Sequence, residues 1–367
     1  VANLAVTLAT GSLEVEVSAS RMPVEELIGF AARNNAKRGF LFVSKVLGKH
    51  WPATPVAMQA CHDALAASLG PAHRNTLFIG MAETATGLGQ GVFEACLRRG
   101  WQGQCLLSTR YPIAGDAEAI HFEEGHSHAP RVLLHWPKQA GLERCTRLVL
   151  VDDELSTGQT FINLWRALAT RLPAVQQIDV VCLTDFMGTT RARFLAAMPA
   201  ATTVHALLSG SYRFTPNADH HADAAAAQAA PAQWQPQLAA AVPRLSVAAA
   251  LTLRLPELPP NSRVLVLGVG ELMHAAFVMG RGLAEQGHSV SVQSATRSPI
   301  LLGHAIGQVL RFPDPYGEGI PYYLYNVAAG QYEQVVLLHE TGAASVAPLA
   351  AALGARALAL QDWVVAA

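Results

Sequence analysis

Arg147-Leu-Val-Leu-Val-Asp-Asp-Glu-Leu-Ser-Thr-Gly-Gln-Thr160 is the stretch from which the rest of this sequence is read. Residues 148–151 form an unbroken apolar run, the mark of a strand buried on both faces of a parallel sheet. Asp152 and Asp153 follow at once, then Glu154, Leu155 and the turn Ser156, Thr157, Gly158, Gln159, Thr160. Beyond the turn, Phe161, Leu164, Trp165 and Leu168 recur at helical spacing and predict an amphipathic helix. A helix start after such a turn is an anion site. Its first N–H groups lack intrahelical partners, and the hydroxyls of Ser156, Thr157 and Thr160 add donors. Gly158 lets the backbone approach a phosphate with no Cβ in the way. Asp152 and Asp153 stand about a sugar's width from that cup and can accept hydrogen bonds from two vicinal hydroxyls. A phosphate cup beside a diol clamp describes a 5-phosphoribosyl group. A lone acid pair would read as merely solvated; the strand, turn and helix around this one argue otherwise.

The same residues resemble the PRPP-binding motif of type I phosphoribosyltransferases: four apolar residues, two acids and a Thr-Gly-x-Thr-like turn. The resemblance implies a doubly wound parallel sheet with a hood. It implies Asp152, Asp153 and Arg110 as catalytic residues, and Asp152 and Asp153 as the protein's contribution to a Mg²⁺ site. It assigns Glu154, Leu155, Ser156, Thr157, Gly158, Gln159 and Thr160 to the 5-phosphate.

Composition sets the bounds. A chain of 367 residues, 51% hydrophobic, fills sizeable cores and suggests at least two domains. A net charge of −1 and a pI of about 7 give no reason to expect a nucleic-acid polymer or an anionic membrane as partner. Cys61, Cys96, Cys105, Cys145 and Cys182 form no CxxC pair and read as reduced core residues of a cytoplasmic protein. No apolar run approaches the ~18 residues that span a bilayer, and no signal peptide is expected.

Along the chain, residues 13–17 alternate like a strand of an edge hairpin. Val24, Leu27, Ile28 and Ala31 predict a helix over 23–34. Residues 34–52 mix apolar positions with Arg38, Lys45, Lys49 and His50. They read either as a half-buried strand with solvated cations or as a hood whose cations face phosphates. A helix is expected over 55–69. Residues 77–80 are a second buried strand, followed by Met81, Ala82, Glu83, Thr84, Ala85, Thr86 and Gly87 and a helix over 92–98. This is another anion-friendly turn. In the resembled family the loop in this place takes pyrophosphate. It lacks the GKS/T ending of a nucleoside triphosphate P-loop.

After a strand near 104–108, residues 110–130 show no convincing long element, and a loop of that length suggests a lid. Arg110, Glu123, Glu124, His126, Ser127 and His128 lie there; the two histidines alone are weak evidence for zinc. A strand near 178–183 ends at Asp185 and Phe186, candidates to bind or stack on a base, with packing as the alternative. Ligands of such sheets gather at the carboxyl ends of the strands.

Residues 217–243 are rich in Ala, Gln and Pro and read as a linker; the expected division is 1–225, 226–245 and 246–367. The last part opens with Arg263-Val-Leu-Val-Leu-Gly-Val-Gly-Glu271, a strand and turn of a smaller Rossmann-like α/β domain. A dinucleotide reading fails there. Met273 replaces the third glycine, and no acid follows the next strand. Residues 311–326 read as a long loop. Thr296-Arg-Ser-Pro299, with Gly268-Val-Gly-Glu271 and Tyr325-Asn326, resembles the TRSP domain, found after a phosphoribosyltransferase domain in tellurite-resistance-type stress operons. Gly270, Glu271, Arg297 and Ser298 are candidates for the acceptor site.

The leading expectation is transfer of a 5-phosphoribosyl group from PRPP to a nitrogenous acceptor with Mg²⁺. A non-catalytic PRPP sensor and a nucleotide-cleaving enzyme are the alternatives. Expected partners are PRPP or a 5-phosphoribosyl nucleotide, a base or other acceptor, and a second copy of the chain.

Overall fold

A computed structural model describes residues 2–35, 38–113, 117–123, 131–138, 141–220, 244 and 247–365. The chain opens with β1 (Ala2–Leu8), β2 (Gly11–Ser20), a helical turn α1 (Val24–Leu27), β3 (Ile28–Ala32) and β4 (Phe40–Ser44). Then come α2 (Pro55–Ser68), β5 (Thr76–Gly80), α3 (Thr86–Arg98), β6 (Gly103–Thr109), β7 (Glu118–Glu123) and β8 (Arg131–Trp136). The first half closes with β9 (Arg147–Leu155), α4 (Gln159–Leu168), β10 (Gln177–Asp185), α5 (Arg191–Ala197) and β11 (Ala201–Pro216). The second half runs β12 (Arg263–Gly268), α6 (Met273–Glu285), β13 (Ser289–Ser294), β14 (Val309–Phe312) and β15 (Tyr322–Tyr325). It ends with β16 (Gln334–His339), α7 (Ala343–Leu353) and β17 (Arg356–Ala359).

Five parallel strands in the order β6-β5-β9-β10-β11 form the middle of a nine-stranded sheet, with β8 and β7 added antiparallel at one side and β2 and β1 at the other. Residues 148–151 of β9 are fully buried between β5 and β10, as their apolar run requires. The chain order reverses between β5 and β9. The carboxyl ends of the strands at such a switch point are where open α/β sheets bind ligands. A second, four-stranded sheet in the order β13-β12-β16-β17 is wholly parallel and has its own switch point between β12 and β16.

Three segments depart from their sequence patterns. The helix expected over 23–34 stops at Leu27, and β3 begins at Ile28. β3 pairs with β4 on one edge; on the other, Ala32 O accepts from Leu301 N and Phe30 O from Ala305 N. That pairing overrides a weak helical period interrupted by Gly29. Within 110–130, residues 118–123 form β7 against β8. Within 311–326, β14 and β15 pair as an antiparallel hairpin rather than a long loop.

The two halves share one core. Met58 of α2, Phe93 of α3 and Phe277 of α6 are all nearly inaccessible and belong to a single apolar cluster. Because α6 lies against β12 and β13 on one side and α2 and α3 on the other, it is buried at every position from Met273 to Gly280. The expected linker lies outside the described residues except for Arg244.

Candidate functional site

β9 does not end at the acid pair. It stays paired with β10 until Leu155 meets Asp185, so Asp152, Asp153 and Glu154 lie within the strand, just before its last residue. Side chains alternate along a strand, so Asp152 shares a face with Glu154 and Asp153 shares the other with Leu155. The three acids are half-buried, and Asp153 N donates to Asp152 Oδ1 at 2.9 Å. Glu154 accepts both bonds of a forked Arg38 contact, at 2.7 and 2.8 Å. Arg38 lies 4.6 Å over the ring of Phe40. Burial alone would lower the Arg38 pKa, but the Glu154 carboxylate more than offsets this and raises it. Arg38 thus joins the β3–β4 hairpin, the hood, to the acid-bearing strand.

The turn to α4 is tight. Gly158 has φ 71°, and a Cβ there would stand 2.2 Å from the Phe194 ring. Its first requirement is therefore local, a left-handed turn beneath Phe194. Gly158 gives α4 no side-chain cap, but Thr157 Oγ1 accepts from Gln159 N at 3.3 Å; Ser156, Gln159 and Thr160 are half-buried and Thr157 is exposed. A helix start leaves further N–H groups without intrahelical acceptors, an arrangement that can hold an anion. Asn163 Nδ2 donates to Glu123 O at 3.0 Å, which brings the end of β7 alongside α4. Of the expected lid, Glu123 is described and exposed. Glu124, His126, Ser127 and His128 lie outside the described residues.

Across the switch point, the loop after β5 is short, because α3 already starts at Thr86 and Gly87 is buried under Met273. Met81 N donates to Val151 O at 3.0 Å and Ala82 N to Ser108 Oγ at 2.8 Å; the Ala82–Glu83 peptide is cis. Glu83 faces Lys49 Nζ at 2.6 Å and Arg297 Nε at 3.4 Å. Burial pushes the Glu83 carboxyl upward, but Lys49 and Arg297 overcome it and its pKa falls to about 2. Ala85 is buried and Thr84 half-buried.

The segment after β6 runs into the second half. Glu271 accepts from Thr109 Oγ1 at 2.7 Å, from Arg110 N at 3.0 Å and from Arg244 Nε at 2.7 Å. The other end of the Arg244 guanidinium forks onto Glu340, both contacts at 2.5 Å. Tyr111 stacks on Tyr316 with centroids 4.1 Å apart, and its hydroxyl meets that of Tyr322 at 2.7 Å.

The expected acceptor residues fall into two places. Asp185, at the end of β10, accepts from Met187 N at 3.1 Å and pairs with Arg191; Phe186 is buried and stacks on Phe42, centroids 4.5 Å apart. Both hold the packing of that strand end. Gly270, Glu271, Arg297 and Ser298 lie with the second half. Gly270 O accepts from Lys49, Glu271 is held by the three donors named above, and Arg297 spans Glu83 and Glu318. Ser298 N donates to Thr296 Oγ1. Arg38 and Lys49 stood in the cationic stretch of the sequence, but their acidic partners are more than 30 positions away. Arg244 gave no signal in its linker-like composition, and Tyr111 stood in the expected lid, where a segment without periodicity gave no sign of its partners. Among the described residues, no group of three or more His, Cys, Asp or Glu is placed to hold a metal ion, and no helix is long and apolar enough to cross a membrane.

No curated protein matches this sequence. Among solved structures, adenine phosphoribosyltransferase from Giardia lamblia is 18% identical, covers 54% of this chain and 96% of its own, and has a TM-score of 0.37. The enzyme from Rhodothermus marinus is 16% identical over 51% and 96% of the two chains, with a TM-score of 0.34. That from Trypanosoma brucei is 13% identical over 49% and 77%, with a TM-score of 0.35. The model of a phosphoribosyl transferase family matches residues 27–211, and that of the TRSP domain which follows it in that family matches residues 230–353. The chain belongs to this phosphoribosyltransferase family and is a pentosyltransferase carrying a C-terminal TRSP domain.

Proposed function

We propose that the chain transfers the 5-phosphoribosyl group of PRPP to a nitrogen of an acceptor base and releases pyrophosphate. The observation that carries this reading is the pairing, across one switch point, of a hydroxyl-rich helix start beside three acids with a second strand-end loop. The start of α4 would take the 5-phosphate through its N–H groups and the hydroxyls of Ser156, Thr157 and Thr160. Asp152 and Asp153 would accept from the ribose hydroxyls. The bond from C1 to the pyrophosphate oxygen breaks, the acceptor nitrogen bonds to C1, and the acceptor's N–H proton leaves. The positive charge that builds on the ribose ring is favoured by the nearby carboxylates. The loop after β5, with Arg110 at the end of β6, would receive the departing pyrophosphate.

Mg²⁺ fits the donor set: it takes one or two carboxylates and otherwise waters and substrate phosphates, and Asp152 and Asp153 would be those carboxylates. When bound, it neutralises phosphate charge. The acceptor would enter near the end of β9, beside the packed rings of Phe42, Phe186 and Tyr212.

The test is pyrophosphate release from PRPP and Mg²⁺ in the presence of a panel of purine and pyrimidine bases. Release that depends on one base supports transfer. Tight PRPP binding without release for any base would contradict it and favour a sensor.

A further inference from the structure

We propose that Arg297 and Lys49 are positioning residues for pyrophosphate, holding through Glu83 the loop that follows β5. On this account the C-terminal half is a built-in part of the PRPP site rather than a separate ligand domain. The inference rests on the reading that this loop receives pyrophosphate.

Lys49 is 1% exposed; its ammonium donates to Ala295 O at 3.2 Å and Gly270 O at 3.3 Å and forms an ion pair with Glu83 Oε1 at 2.6 Å. Its partners come from three loops, those after β5, β12 and β13. Arg297 approaches the same carboxylate from the other side and is itself fixed by Glu318 at 2.5 Å. Thr86 Oγ1, at the end of the loop, reaches Glu83 O at 3.1 Å and Glu271 O at 3.3 Å. Among the described residues, Met81 is tied to Val151 of the sheet and Ala82 to Ser108. From Glu83 to Thr86, side-chain ties run to Lys49, to the second half and, through Thr86 Oγ1 and Glu83 O, within the loop itself.

A loop that must present its backbone to a multiply charged leaving group gains from being held before the ligand arrives. A buried ion pair contributes little net stability against a well-packed apolar substitute. Its stronger effect here is geometric: two cations on one carboxylate fix where Glu83 stands. An ordinary structural ion pair would affect folding and leave the ligands undiscriminated.

Calorimetric titration of the full chain separates the two roles, using Mg²⁺–pyrophosphate and ribose 5-phosphate as probes. Ribose 5-phosphate uses the α4 cup and the acids but not the loop after β5. In Arg297→Gln, the pyrophosphate dissociation constant should rise on the order of tenfold or more, as expected when a binding group is displaced, while that of ribose 5-phosphate stays within about twofold. Arg297→Lys should recover part of the loss. Should Arg297→Gln fail to fold, Glu83→Gln, which keeps length and shape, should show the same selective loss. Unchanged pyrophosphate affinity in a folded variant, or equal loss of both ligands, overturns the inference. A parent that binds ribose 5-phosphate but not pyrophosphate also overturns it while leaving the cup standing. A parent that binds neither overturns the proposed function itself.

Discussion

Glu83 shows what single residues add to the sequence reading. In the sequence it is one acid in a Gly- and Thr-rich turn; in the fold two cations meet it, and its pKa drops from 4.5 to about 2. A depressed carboxylate stabilises the fold above its unfolded pKa and loses that contribution as pH falls through the folded one. The native state should therefore lose on the order of 3 kcal/mol between about pH 4.5 and pH 2 through this group. Urea unfolding across that range should show a shallower acid limb in Glu83→Gln than in the parent; identical limbs would contradict the assignment. Gly158 makes the opposite point. Its identity was legible as a turn signal, but the reason lies in φ 71° and the Phe194 ring. Gly158→Ala should cost about 1–3 kcal/mol of stability from backbone strain and overlap, and a variant as stable as the parent in urea would show that the turn relaxes freely. Asp152 and Asp153 stood out in the sequence because they follow an apolar run, and β9 extends through them. Lys49, Arg244 and Arg297 were not legible in their roles, because each role is set by partners that only folding brings near.

The elements that the sequence revealed best are those whose neighbours are implied by their own pattern. β9 is apolar on both faces, and α4 buries Phe161, Leu164 and Leu168 as its spacing requires. β3 and β15 were misread because their pairing partners supply the decision: Leu301 and Ala305 for β3, and β14 for β15. The segment after β6 is a similar case. It carries no periodicity, yet Tyr111 is anchored in the second half by a stack on Tyr316 and a hydroxyl contact with Tyr322. Tyr111→Phe keeps the stack and orphans the Tyr322 hydroxyl, so it should destabilise the chain by about 1–2 kcal/mol. Equal denaturant midpoints for variant and parent would mean the hydroxyl pair contributes nothing.

Taken as a molecule, the described residues form two large sheets, two two-stranded hairpins and a shared core, and the sequence suggested the large sheets but not the sharing. The apolar spacing of α6 fits any βαβ unit; that its outer side is also buried, against α2 and α3, follows only from the packing. One apolar cluster spanning both halves predicts a single cooperative unfolding transition for the full chain. Fluorescence and circular dichroism should give coincident urea curves. Two separated transitions would show that the halves are independent.

The most direct test of the proposed site is calorimetric titration of PRPP with Mg²⁺ into the parent and into the Asp152→Asn/Asp153→Asn double variant. If Asp152 and Asp153 hold the ribose hydroxyls beside the α4 cup, the parent binds and the variant loses about 1.5–3 kcal/mol or more of binding free energy, as expected for charged hydrogen bonds. Equal affinity in the two proteins would contradict the site.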